Sequence, residues 1–268
     1  MYFAYYCGSV KQGAGKVMRL MRYLIILLSV FVIQVYAIPA RFNIGLVVMA
    51  TGKYTCFLEK LLTSADKYFL PDHHRTYFVF TDGEVPALDN VIRIEQKRLG
   101  WPHDTLMRFG VYLSAEPYFQ DLDYVFACDA DMVFVDIVGD EILADLVGVK
   151  HPGFSFPHQR HDDYERNSAS TAYVPPGRGT HYFAGGFYGG CRAEFLKLVF
   201  TCHIHIMQDL VRDIIVQWHD ESHLNRYFID HPPHVLSCAY CFPEEGWGLP
   251  CAPRLVAVYK NHKEFQNS

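Results

Sequence analysis

The chain has 268 residues, half of them hydrophobic, and a formal net charge of −5. That is enough apolar mass for a large buried core, and the acidic balance excludes a bulk basic field for holding nucleic acid. Eight cysteines without regular spacing exclude a small disulfide-built scaffold.

Residues 1–22 carry Lys11, Lys16, Arg19 and Arg22 and no acid, and residues 23–38 are apolar apart from Ser29 and Gln34. A basic flank before an apolar run is the pattern of a signal peptide or a signal-anchor. The run is short of the roughly twenty residues a bilayer asks for. Val35-Tyr36-Ala37 offers a cleavage site, so both outcomes stay open, with an anchor preferred. Either one delivers the rest of the chain to the secretory lumen. Folded pattern begins at Phe42, with no long stem before it.

Residues 43–49 read as a first buried strand, followed by a turn at Ala50-Thr51-Gly52-Lys53-Tyr54. Residues 57–69 have helical spacing, with Phe57, Leu58, Leu61, Leu62, Ala65, Tyr68 and Phe69 on one stripe. Strands are expected at 77–80 and 91–94, and a helix at 105–118, ended near Glu116-Pro117. Strand–helix alternation to this point predicts a parallel, Rossmann-like α/β sheet.

The stretch from Asp123 to Phe134 is the centre of the pattern. An apolar, aromatic and β-branched run ends in Asp129-Ala130-Asp131. A buried strand ending in acids presents them where α/β sheets place their ligands. Two hard oxygen ligands there can hold a divalent cation and leave positions for phosphate oxygens. Asp136 is either a third acid or a cap. The same letters also resemble the phosphoryl-aspartate motif of haloacid-dehalogenase-type phosphatases, although in that family the motif opens the domain.

Beyond the acids, a short helix is expected at 142–147, a reversal at His151-Pro152-Gly153-Phe154, and a long polar loop at 160–180 that could lid a site. Gly185-Gly186 and Gly189-Gly190, set among aromatics, predict a backbone that a ligand or another strand approaches closely. A long amphipathic helix is expected at 193–216. Asp220 and Glu221 then open another helix, where acids suit the N-terminus. A last strand is expected at 256–258, followed by Lys260-Asn261-His262. His219 and His223 are spaced to share a helix face. His234, Cys238, Cys241 and Cys251 have zinc-type chemistry without a standard zinc spacing, and a disulfide or buried thiols is the preferred reading.

Taken together, Met49-Ala50-Thr51-Gly52-Lys53-Tyr54, Asp129-Ala130-Asp131, His151-Pro152-Gly153-Phe154, Tyr164-Glu165-Arg166, the segment from Ala184 to Gly190, the segment from Trp218 to Asn225 and Lys260-Asn261-His262 resemble glycosyltransferase family 6 in order and spacing. This family contains the histo-blood-group A and B transferases and the α-1,3-galactosyltransferase. The resemblance implies a GT-A fold, a Rossmann-like nucleotide-diphospho-sugar transferase, in a single catalytic domain over 42–264. It implies retaining transfer of GalNAc or Gal from a UDP-sugar to a galactoside acceptor in α-1,3 linkage, with Mn²⁺.

The residue roles it implies are as follows. Asp129 and Asp131 hold Mn²⁺. Ala50, Thr51 and Tyr54 line the nucleotide site, with Arg108 and Lys260 near the diphosphate. Ala184, Gly185 and Gly186 shape the donor-sugar pocket. His151, Trp218, Asp220 and Glu244 face the sugars or the acceptor. Glu221 lies under the anomeric carbon as nucleophile or charge stabiliser. Small residues at Ala184 and Gly186 predict that UDP-GalNAc is tolerated, with UDP-Gal as the alternative. The implied location is the Golgi membrane, single-pass type II with a lumenal catalytic domain, or secretion if the N-terminal segment is cleaved.

Two departures stand out. Arg108 in Leu106-Met107-Arg108-Phe109 stands one residue off the family's arginine, and Phe242-Pro243 replaces an acceptor-site Trp-Asp, with Glu244 as the substitute. An inactive glycan- or sugar-nucleotide-binding homologue and an aspartate-based phosphatase are the alternatives.

Overall fold

The computed structural model describes Met18, residues 41–156 and residues 162–266. The chain divides into two compact units, Met1–Arg41 and Phe42–Ser268. The expected N-terminal tail and the apolar segment 23–38 lie outside the described residues. Among the described residues no helix is long and apolar enough to cross a membrane.

The second unit is built on a seven-stranded mixed sheet in the order β3-β2-β1-β4-β7-β6-β8. Its strands are β1 (Asn43–Met49), β2 (His74–Thr81), β3 (Val91–Glu95), β4 (Tyr124–Asp129), β6 (Leu146–Lys150), β7 (Phe183–Cys191) and β8 (His234–Leu236). The first four are mutually parallel, as the alternating pattern predicts. β7 then runs antiparallel to β4, and β6 antiparallel to β7, so the sheet is mixed rather than parallel throughout. A second sheet joins β5 (Met132–Phe134), β9 (Phe242–Pro243) and β10 (Leu255–Ala257) in the order β5-β10-β9.

Strand alternation sends side chains to two cores. From β1 and β4, Leu46, Val48, Phe126 and Cys128 enter one, with helix α1 (Leu58–Tyr68) packed over it. Val47, Val125 and Ala127 enter the other, under α3 (Arg108–Ser114), α4 (Arg192–Leu210) and α5 (His219–Asp230). On α1 the expected stripe is buried at Leu58, Leu61, Leu62 and Ala65. Each such leucine contributes about 1.5–3 kcal/mol of burial.

Several element boundaries differ from the sequence expectation. The helix expected at 142–147 is a 3-10 turn, Asp140–Ile142, followed by β6. This segment is a strand because β7 pairs with Leu146, Val147 and Gly148 on one side and β8 with Val147, Gly148 and Val149 on the other. The helix expected at 105–118 is broken into α2 (His103–Leu106), α3 and a 3-10 turn at Glu116–Phe119. The long helix stops at Leu210 rather than continuing to 216. Short α6 (His262–Gln266) ends the described chain.

The glycine pairs divide the two tasks that their sequence left open. A side chain at Gly189 would lie 2.4 Å from the Val125 carbonyl oxygen, and one at Gly190 2.1 Å from that of Asp145. These two glycines let neighbouring backbone close in on β7. At Gly185 and Gly186 a Cβ would meet only side chains, at 3.3 Å or more, and both open on a cavity.

Candidate active site

Strand register assembles the site. Met49 at the end of β1 pairs with Asp129 at the end of β4, and Cys128 pairs with Phe187 of the antiparallel β7. The turn after β1, the two acids and the first residues of β7 therefore share one sheet edge. The chain turns at Ala130-Asp131 into β5, so Asp131 stands on a turn and not on a continuing strand. β10 pairs with β5 through Ala257 and Met132, and Val258 N donates to Asp131 O at 2.8 Å. The second sheet thus carries Lys260 to the Asp131 carboxylate, where the two form an ion pair.

Glu221 arrives from α5. Asn225 holds that helix to β7, accepting from Phe183 N and donating to Phe183 O, each at 2.8 Å. Its amide also donates to Glu221 O at 3.0 Å. This clamp brings the Glu221 carboxylate to Gly185, whose N–H donates to Oε2 at 2.7 Å. Asp220 takes a different partner: Arg108 Nη1 lies 3.1 Å from its carboxylate and 2.7 Å from that of Asp129. The same guanidinium reaches Gly185 O at 3.4 Å. Arg108 is therefore a half-buried bridge between β4 and α5.

Two cavities meet at this edge. The first, about 400 Å³, is lined by Thr51, Tyr54, Arg108, Asp220, Trp218, Lys260 and others. The second, about 320 Å³, is lined by His151, Ala184, Glu244, Glu245, Trp247 and others. Asp129, Asp131, Gly186, Glu221 and Lys260 line both. Trp218 opens on the first cavity only, and Asp163 accepts its indole N–H at 2.6 Å. Ala50 lines neither: it is fully buried and its side chain belongs to the core. Glu244 accepts from Tyr259 N at 2.8 Å. His219 lines the first cavity, as do Phe265 of α6, Arg98 and Trp101, and sequence reasoning missed the last three. Phe265 sits 5.1 Å from the Tyr54 ring, and Lys260 5.2 Å from it. A residue this near the chain end carries no motif that could have flagged it.

Electrostatics follow from burial. Burial raises the Glu221 carboxyl to about 7, against the stabilising N–H of Gly185. Burial raises Asp220 to about 6, with Arg108 opposing. Burial also lowers His151 to about 4, so its ring is neutral at pH 7; Nδ1 accepts from Gly153 N at 3.1 Å. Burial pulls Lys260 down, but Asp131 and its other anionic neighbours outweigh that and raise it, so it stays charged. Five carboxyl groups, Asp104, Asp129, Asp131, Asp220 and Glu221, face three cations, Arg98, Arg108 and Lys260, around the first cavity.

Two other candidate groupings do not assemble. His223 is 1% exposed and faces Asp209 at 3.9 Å, whereas His219 lies at the cavity beside Trp101. His234 lines a separate cavity on the far end of β6 and β8. Among the described residues no group of three or more His, Cys, Asp or Glu side chains stands close enough to hold a metal ion.

The sequence matches the family described as Glycosyltransferase family 6 over residues 29–267. It is 37% identical to histo-blood group ABO system transferase 1 of Rattus norvegicus, over 84% of this chain and 69% of that protein. It is 33% identical to globoside alpha-1,3-N-acetylgalactosaminyltransferase 1 of Gallus gallus, over 85% of this chain and 71% of that one. It is 31% identical to the O-antigen biosynthesis glycosyltransferase WbnI of Escherichia coli, over 75% of this chain and 88% of that protein. Such matches set aside the phosphatase reading of the two aspartates, and the mixed α/β architecture agrees with a GT-A-like enzyme. The chain belongs to glycosyltransferase family 6, and glycosyl transfer is its reaction class.

Proposed function

We propose that this protein is a retaining glycosyltransferase that moves GalNAc or Gal from a UDP-sugar to a galactoside acceptor in α-1,3 linkage. The observation that carries the reading is the meeting of two cavities at Glu221, beside the Asp129–Asp131 edge. The first cavity has an aromatic wall at Tyr54 and Phe265 for a uracil ring and fixed cations for a diphosphate. The second has the neutral His151, Glu244 and Trp247 for a galactoside. A sugar at the junction lies against Ala184 and Gly186, whose small side chains leave room for an N-acetyl group.

Breaking the bond at the anomeric carbon leaves positive charge on the sugar ring and negative charge on UDP. Glu221, oriented by the Gly185 N–H, offsets the first from the ring face, as retention requires of a carboxylate in that position. Lys260 offsets the second as a fixed cation. Arg108 opposes the burial that raises the Asp129 and Asp220 carboxyls and holds both in place, and α6 with Phe265 shields the nucleotide from water.

Mn²⁺ fits this residue set. Asp129 and Asp131 give two hard oxygen ligands, the number such ions take from protein when substrate phosphates supply the rest. Carboxyl groups already outnumber cations, so an incoming diphosphate needs a further positive charge. When bound, the ion supplies Lewis-acid stabilisation of the leaving diphosphate. The basic flank and apolar run at the N-terminus support delivery to the Golgi lumen with a type II membrane anchor.

The test is turnover of UDP-GalNAc and UDP-Gal with galactoside acceptors, with Mn²⁺ added or chelated, and NMR of the product linkage. The expected product is α-1,3-linked and metal-dependent. A β-linked product, or no transfer to any galactoside, would refute the reading.

A further inference from the structure

We propose that Cys238 and Cys251 form a disulfide that closes the loop between β9 and β10, the outer wall of the second cavity. Their sulfur atoms lie 3.2 Å apart, in direct contact, and both are thiols in this structure. The backbone brings them together. Phe242 and Pro243 of β9 pair with Val256 and Ala257 of β10, and Arg254 N donates to Ala239 O at 2.9 Å. The two strands entering and leaving the loop are therefore held side by side next to both cysteines.

The loop needs such a closure. Gly246, Trp247 and Gly248 are three consecutive residues in the left-handed region, with φ of 81°, 43° and 68°. Glu244, Glu245 and Trp247 are exposed and face the second cavity. Beyond the Glu244 N to Ala257 O bond at 3.0 Å, the loop's backbone bonds are short-range, Gly246 N to Pro243 O at 2.8 Å and Leu249 N to Gly246 O at 3.2 Å. A segment with few buried contacts opens locally at little cost, and a covalent link at its base removes much of that freedom.

The chemistry is thiol–disulfide exchange with an oxidised small-molecule disulfide such as glutathione disulfide. Cys251 is partly exposed and Cys238 is buried, so Cys251 reacts first. Its thiolate attacks one sulfur of the small disulfide, forming a mixed disulfide and releasing one small thiol. The Cys238 thiolate then displaces the second small thiol and forms the Cys238–Cys251 bond. The two protein thiols are oxidised by two electrons, the small disulfide is reduced to two thiols, and their two protons come from the protein thiols.

The bond formation stands on geometry alone, independent of glycosyl transfer. The full chain is incubated with glutathione disulfide, alkylated, and digested after Glu244 and Glu245, which separates Cys251 from Cys238 and Cys241. The expected result is a fragment pair that stays joined until reduction, retained in Cys241→Ser and lost in Cys238→Ser and Cys251→Ser. Free alkylation of both thiols, or a link that persists in Cys238→Ser, overturns the proposal. Amide hydrogen exchange supplies the second readout. Residues 244–250 should exchange about tenfold more slowly in the oxidised protein, with no change on oxidant treatment of Cys251→Ser. Equal exchange in the two redox states would show that the bond does not hold the loop.

Discussion

Asp220 and Glu221 show how adjacent acids acquire different chemistry. Both open the same helix, where a carboxylate suits the positive end of the macrodipole. Asp220 is spent on Arg108, whereas Glu221 reaches across to β7 and lines both cavities. Burial raises Glu221 to about 7, above the ordinary carboxylate range, so the folded state binds more protons than the unfolded one between roughly 4.5 and 7. Stability from this group is therefore full at low pH and is lost as pH rises through 7. Glu221→Gln keeps an oxygen for the Gly185 N–H and removes the charge. It should lower transfer by roughly 10²-fold or more, yet melt at a higher temperature than wild type at pH 8, with the difference gone near pH 4.5. Thermal melts at both pH values and steady-state rates check this; a wild-type melting advantage at pH 8 would contradict it. Gly186 is the second residue whose environment decides its role. A methyl there would lie 3.3 Å from the Cys241 sulfur and 3.7 Å from Asp129 Oδ2. Gly186→Ala should fold normally and move the ratio of kcat/KM for UDP-GalNAc over UDP-Gal downward by about 10- to 100-fold. Paired kinetics with the two donors measure it.

Elements are held in place by buried polar ties that no periodicity records. The polar segment of residues 162–180 contains no regular structure, and it is pinned by Asp209, which is 1% exposed near the end of α4. Its carboxylate accepts from Ser170 Oγ at 2.5 Å and from Thr171 N at 2.8 Å. Glu165 in the same segment accepts from Gln217 N at 3.0 Å, just before Trp218. Asp209→Ala leaves the Ser170 hydroxyl and a backbone N–H without their acceptor, a cost of about 1–3 kcal/mol. Faster proteolytic cutting within 162–180, with Asp209→Asn intermediate, is the expected outcome of limited digestion. Boundaries were the least legible feature of the sequence at this scale. Residues 142–147 have apolar spacing compatible with a helix, but Ile142 ends a 3-10 turn and only pairing to β7 and β8 makes Leu146 and Val147 the start of β6. Residues 105–118 read as one helix, but the backbone breaks at Met107 and again at Ala115.

For the molecule as a whole, charge balance links ligand binding to stability. Carboxyl groups exceed cations at the first cavity, so nucleotide binding alone adds charge of the unfavourable sign. UDP with Mn²⁺ should therefore raise the melting temperature by several degrees, and UDP with a chelator by much less. Differential scanning measurements with each component separately check this; equal shifts with and without metal would count against Asp129 and Asp131 as its ligands. Strands β1 to β4, β10 and the main helical stripe were legible because burial leaves apolar runs and a period of 3.6 in the sequence, whereas β6 read as a helix and β8 and β9 left no such mark. Asp129, Asp131, Glu221 and Lys260 were legible as candidates because their order and spacing resemble a known family. Apolar pattern and motif order thus carried the α/β class and the identity of the main polar residues. Folding added what they do not encode: β7 runs antiparallel, Arg108 bridges Asp129 and Asp220, Phe265 packs against Tyr54, and Ala50 turns into the core. The physical reason is one of range: periodicity reports which face of an element is buried, whereas strand register and helix docking bring together residues up to about two hundred positions apart, such as Tyr54 and Phe265.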